Sequence, residues 1–287
     1  MNLIRDAAVY ARLVKIEHTL FALPFALSAL CLADICGAGP GLRELLLCAA
    51  AFAAARSAAM GFNRIADRRI DAKNPRTKNR PSVTGEISPR AMSVFTAASA
   101  AAFVACAYFI NPPCFLLSFP ALAVLFGYSY AKRFTAASHY ILGFALSLAP
   151  AGAWIAASGS LDPRILALSG ALFFGIAAFD IIYALQDMEF DSRESLHSVP
   201  ASLGRGGAIA AAAASLGASA ALFFLTGSLF GLGAAYFACA SAIAALYAFG
   251  IFAVAFGGNA FVNAVFFYIN AASAWLGFIG VACELQL

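Results

Sequence analysis

Charge is what this sequence has least of. Only 11% of its 287 residues are Asp, Glu, Lys or Arg, against about a quarter in soluble domains. With a mean hydropathy of +0.85, that scarcity excludes a water-soluble fold. Paired cysteines are missing as well. Cys31, Cys36, Cys48, Cys106, Cys114, Cys239 and Cys283 are odd in number and scattered, with no CxxC spacing, which argues against a disulfide framework or a zinc site. They read as small residues of apolar segments. The short alternation of a membrane β-barrel is absent too, since windows such as 208–224 are apolar on every face. Arg5, Arg12 and Lys15 before the apolar run at Thr19 imitate a signal peptide. Asp34 interrupts the small-residue cleavage site and further spans follow, so no cleavage is expected.

What is present is a succession of apolar runs of about 18 to 24 residues, the length that crosses roughly 30 Å of hydrocarbon as helix. They predict an all-α membrane protein with about nine transmembrane helices, near 19–36, 43–63, 91–110, 113–131, 138–158, 164–187, 207–227, 229–251 and 259–283. The tight joins fall at Asn111-Pro112-Pro113 and Thr226-Gly227-Ser228. Residues 1–287 read as one membrane domain. With the N-terminus inside, fifteen lysines and arginines lie on the cytoplasmic side and only Arg43 and Arg164 opposite, with Arg56 inside a span. That asymmetry predicts a multi-pass protein of the cell inner membrane, N-terminus cytoplasmic. The net charge of +4 then reflects topology and requires no nucleic acid.

The scarce charge is concentrated. In NRIADRRIDAKNPRTKNRP, residues 63–81, Asn63, Asp67 and Asp71 recur every four residues at the end of the second span. Tyr183, Asp187 and Asp191 repeat the spacing at the end of the sixth. On a helix each ladder lines one stripe, and the echo suggests two related halves. Four aspartates at one membrane face suit a hard cation. Magnesium in particular is held by one or two carboxylates together with substrate phosphates. Arg76, Lys78 and Arg80 follow the first ladder and Tyr128, Lys132 and Arg133 close the fourth span, so cations stand ready for the remaining phosphate charge. The plainer alternative is that the acids form solvated helix-end salt bridges with Arg64, Arg68, Arg69 and Arg193. Arg56 lies two turns deeper than Asn63, where an ionisable group is functional by default; pairing with Asp180 is its structural alternative.

Taken in order, Asn63-x3-Asp67-x3-Asp71, Arg76-Thr77-x2-Arg80-Pro81-x3-Gly85, Tyr128-x3-Lys132-Arg133 and Asp180-x2-Tyr183-Ala184-x2-Asp187-x3-Asp191 resemble the UbiA-type intramembrane aromatic prenyltransferases. The resemblance implies nine helices forming a barrel around a lipid-accessible cavity, and magnesium-assisted ionisation of a polyprenyl diphosphate whose carbocation is attacked by an aromatic ring carbon. It implies catalytic roles for Asp67, Asp71, Asp187, Asp191 and Lys132, the four aspartates holding Mg2+ through the diphosphate. Arg56, Asn63, Arg76, Arg80, Tyr128, Arg133, Asp180 and Tyr183 would bind substrate, with Arg56 reading the aromatic carboxylate. Phe62, Tyr128, Tyr130 and Tyr183 are candidates to face the cation.

Two positions depart from the family pattern: Arg64 follows Asn63 where an acid is common, and His197 stands where many members have lysine. The segments KIEHTLFALPFAL (residues 15–27), RTKNRP and LHSVPASLG most resemble bacterial members acting on 4-hydroxybenzoate in quinone biosynthesis. A 1,4-dihydroxy-6-naphthoate acceptor on a menaquinone route is the alternative, and a secondary transporter is the reading from another class. The expected partners are polyprenyl diphosphate, a small aromatic acid and membrane lipid. No residue pattern specifies an oligomeric state.

Overall fold

A computed structural model describes residues 3–15 and 19–286; Ile16, Glu17 and His18 of the N-terminal segment lie outside them. Helix is the only regular structure among the described residues, as expected where lipid offers the backbone no hydrogen bonds. Among the described residues seven stretches are long and apolar enough to cross a membrane, the last being Ala234–Leu285 with 52 residues. The protein is a multi-pass membrane protein. The expected span at 19–36 is a 17-residue helix, shorter than those seven. The expected span 259–283 and residues 234–251 of the expected span 229–251 fall within the 52-residue stretch, while residues 229 and 230 end the helix before it.

The chain clusters into two compact units, one containing Leu42–Tyr130 with the N-terminal helix, the other Leu20–Gly41 with Ala131–Leu287. The first unit comprises α1 (Leu3–Val14), α3 (Leu42–Ala66), the short α4 (Arg68–Lys73) and α5 (Pro81–Thr84), α6 (Pro89–Ile110) and α7 (Pro112–Gly127). Alanine-rich α3 packs along α6, and Leu13, Ile87 and Met92 form a small buried cluster. Arg12 pairs with Glu86 at the surface. The join between α6 and α7 is as expected. Asn111 is extended, ends α6, and caps α7 by accepting from the Cys114 N–H at 2.8 Å, with Pro112 at the first helical position, where a missing N–H costs nothing.

The second unit holds α2 (Thr19–Ile35), α8 (Ser138–Ser158), α9 (Ile165–Ala184), α10 (Met188–Arg193), α11 (Val199–Phe230) and α12 (Ala234–Gly257). Short turns, α13 (Val262–Ala264) and a π-helical segment (Val265–Ile269) lead to α14 (Asn270–Ala282). Its core is α9, most of whose residues are buried; α8 and α11 pack against it. A Cβ on Gly143 would stand 2.4 Å from the Phe173 carbonyl oxygen, so only glycine lets α8 approach α9 this closely. The join expected at 226–228 is helix instead. The break falls at Gly231 (φ 66°), where the left-handed conformation favours glycine, while Thr226 turns its hydroxyl back onto the Leu222 carbonyl.

Candidate functional site

Neither acidic ladder lies on one uninterrupted helix. α3 stops at Ala66, and Asp67 (φ −94°, ψ 4°) stands between it and α4, which carries Asp71. α9 stops at Ala184, and Asp187 (φ −101°, ψ 2°) stands in front of α10, which carries Asp191. The four-residue hydrogen bonds from the Asp71 N–H to Asp67 (2.8 Å) and from the Asp191 N–H to Asp187 (2.7 Å) survive the break. The internal echo is therefore conformational, and it extends further than the ladders. Both turns lead to a proline in the first turn of the next helix, Pro81 and Pro200, and four residues later to a glycine of positive φ, Gly85 (φ 85°, ψ 6°) and Gly204 (φ 68°, ψ 178°), which differ in ψ.

In the first unit, Asn63 donates to Asp67 Oδ2 at 2.8 Å and lies 3.5 Å from Ser129 Oγ. Asp71 is 5% exposed, and Arg80 Nη1 donates to both of its carboxylate oxygens at 2.7 Å. Thr77 hydrogen-bonds to the Asp71 carbonyl, folding the loop back over the turn. Arg64 is not a solvated helix-end cation: at 4% exposed it donates to the Leu13 carbonyl and to Asn63 Oδ1 and approaches Asp71 Oδ2 at 4.0 Å. Position 64 thus brings a buried cation to the acidic turn where the family pattern often has an acid. Arg76, Arg68 and Arg69 are exposed. Arg56 donates to the carbonyls of Lys15 (2.8 Å) and Val14 (3.3 Å), at the end of α1. Phe62 stacks on Phe126 at 4.5 Å with Tyr130 edge-on. Tyr128 opens the 3-10 turn Tyr128–Arg133.

In the second unit, Asp187 and Asp191 are buried. Lys132 Nζ lies 3.8 Å from Asp191 Oδ2, and that oxygen has no hydrogen-bond partner. Burial pushes the Asp191 carboxyl above the usual carboxylate range, against the opposing pull of Lys132 and of a hydrogen bond with Ser198. Arg133 follows Lys132 in the same turn and is half-buried. Tyr183 lies against Phe266 with ring centroids 4.3 Å apart. Asp180 meets His139, a residue the sequence reading did not single out, at 2.7 Å. His197 is exposed, and its backbone N–H donates to the Lys132 carbonyl at 2.7 Å.

Among the described residues no three His, Cys, Asp or Glu side chains gather into a metal cage. The donor set fits an ion that completes its coordination with phosphate and water. Carboxylate oxygens are the hard ligands magnesium takes, and Asp191 offers a buried oxygen lacking a hydrogen bond.

The model of the UbiA prenyltransferase family matches residues 22–253. A protein of Nitrosomonas eutropha named 4-hydroxybenzoate octaprenyltransferase is 36% identical over 154 residues, covering 52% of each chain. One of Saccharophagus degradans with the same name is 35% identical, covering 62% of this chain and 59% of that one. The chain thus spans between half and three-fifths of the length of these curated relatives. Among solved structures, the apo form of a UbiA homolog from Aeropyrum pernix is 35% identical with a TM-score of 0.85, covering 95% of this chain and 99% of that one. A UbiA homolog from Archaeoglobus fulgidus bound to DMAPP and Mg2+ is 25% identical with a TM-score of 0.68, over 95% and 99%.

Proposed function

The chain belongs to the UbiA prenyltransferase family, and from that premise we propose that it transfers a polyprenyl chain from a polyprenyl diphosphate to the ring of an aromatic carboxylic acid. The single observation that carries this reading is the pair of matching acidic turns, each with a buried aspartate on a six-residue helix. The favoured acceptor is 4-hydroxybenzoate, after the names of the relatives; 1,4-dihydroxy-6-naphthoate, also a carboxylated hydroxyarene, is the alternative.

In this reading Asp67, Asp71, Asp187 and Asp191 face the metal-diphosphate group. Bound magnesium would offset the diphosphate charge and improve it as a leaving group. Asn63 fixes Asp67 by its 2.8 Å hydrogen bond. Arg76, Arg80, Lys132 and Arg133 steady the remaining negative charge as the allylic C–O bond breaks. A ring carbon of the acceptor then forms the new C–C bond and loses its proton, and diphosphate departs. Arg56, a guanidinium inside a span, reads the acceptor carboxylate. Asp180 receives the acceptor hydroxyl. Tyr128 and Tyr183 present aromatic faces to the cation.

A long prenyl tail partitions into lipid at about 0.8 kcal/mol per CH2, leaving its diphosphate at the membrane surface. Following the lysine and arginine asymmetry, we place the N-terminus and the acidic turns at the cytoplasmic face of the inner membrane, with residues 1–287 acting as one domain. The test offers purified protein, Mg2+ and a polyprenyl diphosphate the two acceptors in parallel, with EDTA as control. A prenylated acceptor, lost with EDTA, is the expected result; no product from either contradicts the assignment.

A further inference from the structure

Prenyl transfer as set out above gives Arg64 no role, although its guanidinium is buried, at 4% exposure, near the end of α3. A charge so placed is costly unless its donors are served. Nε donates to the Leu13 carbonyl at 3.3 Å and Nη1 to Asn63 Oδ1 at 3.1 Å. Asp71 Oδ2, 4.0 Å from the same Nη1, is beyond hydrogen-bonding distance, and Arg80 already donates to both oxygens of that carboxylate at 2.7 Å. The directed contacts of Arg64 therefore fall on Asn63 and on α1, not on an acid.

A carboxamide presents an acceptor at one end and a donor at the other, in nearly the same shape. Asn63 lies between a cation and an anion: Oδ1 meets the guanidinium, while Nδ2 donates to Asp67 Oδ2 at 2.8 Å. Turned over, it would set its NH2 against the Arg64 N–H and its oxygen against the Asp67 carboxylate, donor facing donor and acceptor facing acceptor. The orientation that holds Asp67 is thus the one Arg64 selects. The end of α1 keeps the guanidinium in place. Leu13 belongs to the last turn of that helix, where a carbonyl has no donor within the helix and carries partial negative charge. Arg56, earlier on α3, donates to the next two carbonyls, Val14 and Lys15, so two arginines of one helix clasp the end of another.

Resting on the prenyl-transfer reading above, we propose that Arg64 is a positioning residue: anchored on the end of α1, it turns the Asn63 amide nitrogen onto Asp67 and so fixes a carboxylate of the metal-diphosphate site. An amide free to face either way holds that carboxylate only part of the time. Small misplacements at a reacting group cost as much as about a hundredfold in rate. Arg64 acts through Asn63 and takes no part in making or breaking bonds.

The test compares Arg64→Met, which keeps an unbranched stem and loses charge and donors, with Arg64→Lys, whose ammonium still donates to an amide oxygen. The methionine variant is expected to lose about 10- to 100-fold in kcat/KM for the polyprenyl diphosphate, with KM for the aromatic acceptor changed by less than about twofold. The lysine variant should recover most of that loss. Adding Arg64→Met to Asn63→Ala should cost less than about threefold beyond Asn63→Ala alone, because the arginine acts through the amide. Equal losses in the methionine and lysine variants, full multiplication of the two single losses, or a wild-type rate in the methionine variant would overturn the proposal. Nitrogen-15 spectra of asparagine-labelled protein in EDTA, without diphosphate, separate this proposal from the reading beneath it. If neither acceptor is prenylated, the prenyl-transfer reading fails. The Asn63 NH2 protons, assigned by their loss in Asn63→Ala, should still exchange slowly with solvent in the wild type and the lysine variant, and about tenfold faster in Arg64→Met and in Asp67→Asn. Fast exchange in the wild type, or exchange unmoved by Arg64→Met, refutes the contact.

Discussion

The two acidic turns share a backbone and differ in how their innermost carboxylate is compensated. Asp67 and Asp187 adopt nearly the same conformation, each ahead of a six-residue helix. Asp71 then receives Arg80 at 2.7 Å on both oxygens, with the buried Arg64 at 4.0 Å. Asp191 has Lys132 at 3.8 Å and an oxygen without a hydrogen bond. A repeated spacing thus reproduces a fold of the chain without reproducing its electrostatics. The first turn carries its countercharge in its own loop and helix end, and the second leaves one buried Asp191 oxygen without a hydrogen bond.

The largest expected effect tests what the turns share. Asp67→Ala and Asp191→Ala should each reduce prenyl transfer by about a thousandfold or more, while gel filtration and circular dichroism in detergent show a folded protein. Normal turnover in both removes the metal-diphosphate assignment.

The next tests what divides them. In EDTA, Arg80→Ala removes both hydrogen bonds to a buried carboxylate, leaving it the longer 4.0 Å contact with Arg64, and should lower stability by about 2 kcal/mol. Lys132→Ala, removing a half-exposed and longer contact, should change it by less than about 0.5 kcal/mol. Thermal melts in detergent compare the two, and equal shifts would erase the distinction. Neutral isosteres sharpen it to a difference of sign. Burial raises the Asp191 carboxyl, so its ionised form is the costlier one in the folded state, and stability on its account falls as pH rises from the ordinary carboxylate range through the raised value. At neutral pH without divalent cations, Asp191→Asn should therefore gain stability, whereas Asp71→Asn should lose about 1 kcal/mol by abandoning Arg80. The smallest effect is expected at His197. Its side chain is exposed and its contact with Lys132 runs through the backbone, so His197→Ala should alter turnover by less than about threefold.

The sequence made the membrane class, most of the apolar helices and both ladders legible, because hydropathy and a four-residue spacing are local signals. It concealed the break at Asp67 and Asp187, since that backbone retains the four-residue hydrogen bond a continuous helix would make. Thr226-Gly227-Ser228 read as a join from its composition, yet hydroxyl back-bonding keeps Thr226 helical and the left-handed turn waits for Gly231. Arg64 stood out as a departure from the family pattern, and only the plainer alternative made it a solvated cation beside Arg68 and Arg69; buried, it donates to the Leu13 carbonyl of α1, a contact no local spacing announces. His139 went unnoticed because Asp180 is 41 residues away. A lone histidine inside an apolar span was the available signal. The proline and glycine that extend the echo were within reach of a comparison of PSVTG with PASLG.

Whether the two turns serve one ligand is decided most directly by calorimetric titration of a non-reactive allylic thiolodiphosphate in the presence of Mg2+. The wild-type protein should bind it, and Asp67→Ala and Asp191→Ala should each weaken binding by a hundredfold or more, about 3 kcal/mol. Wild-type affinity in either variant would contradict the account, because that aspartate would then contribute nothing to holding the metal-diphosphate group.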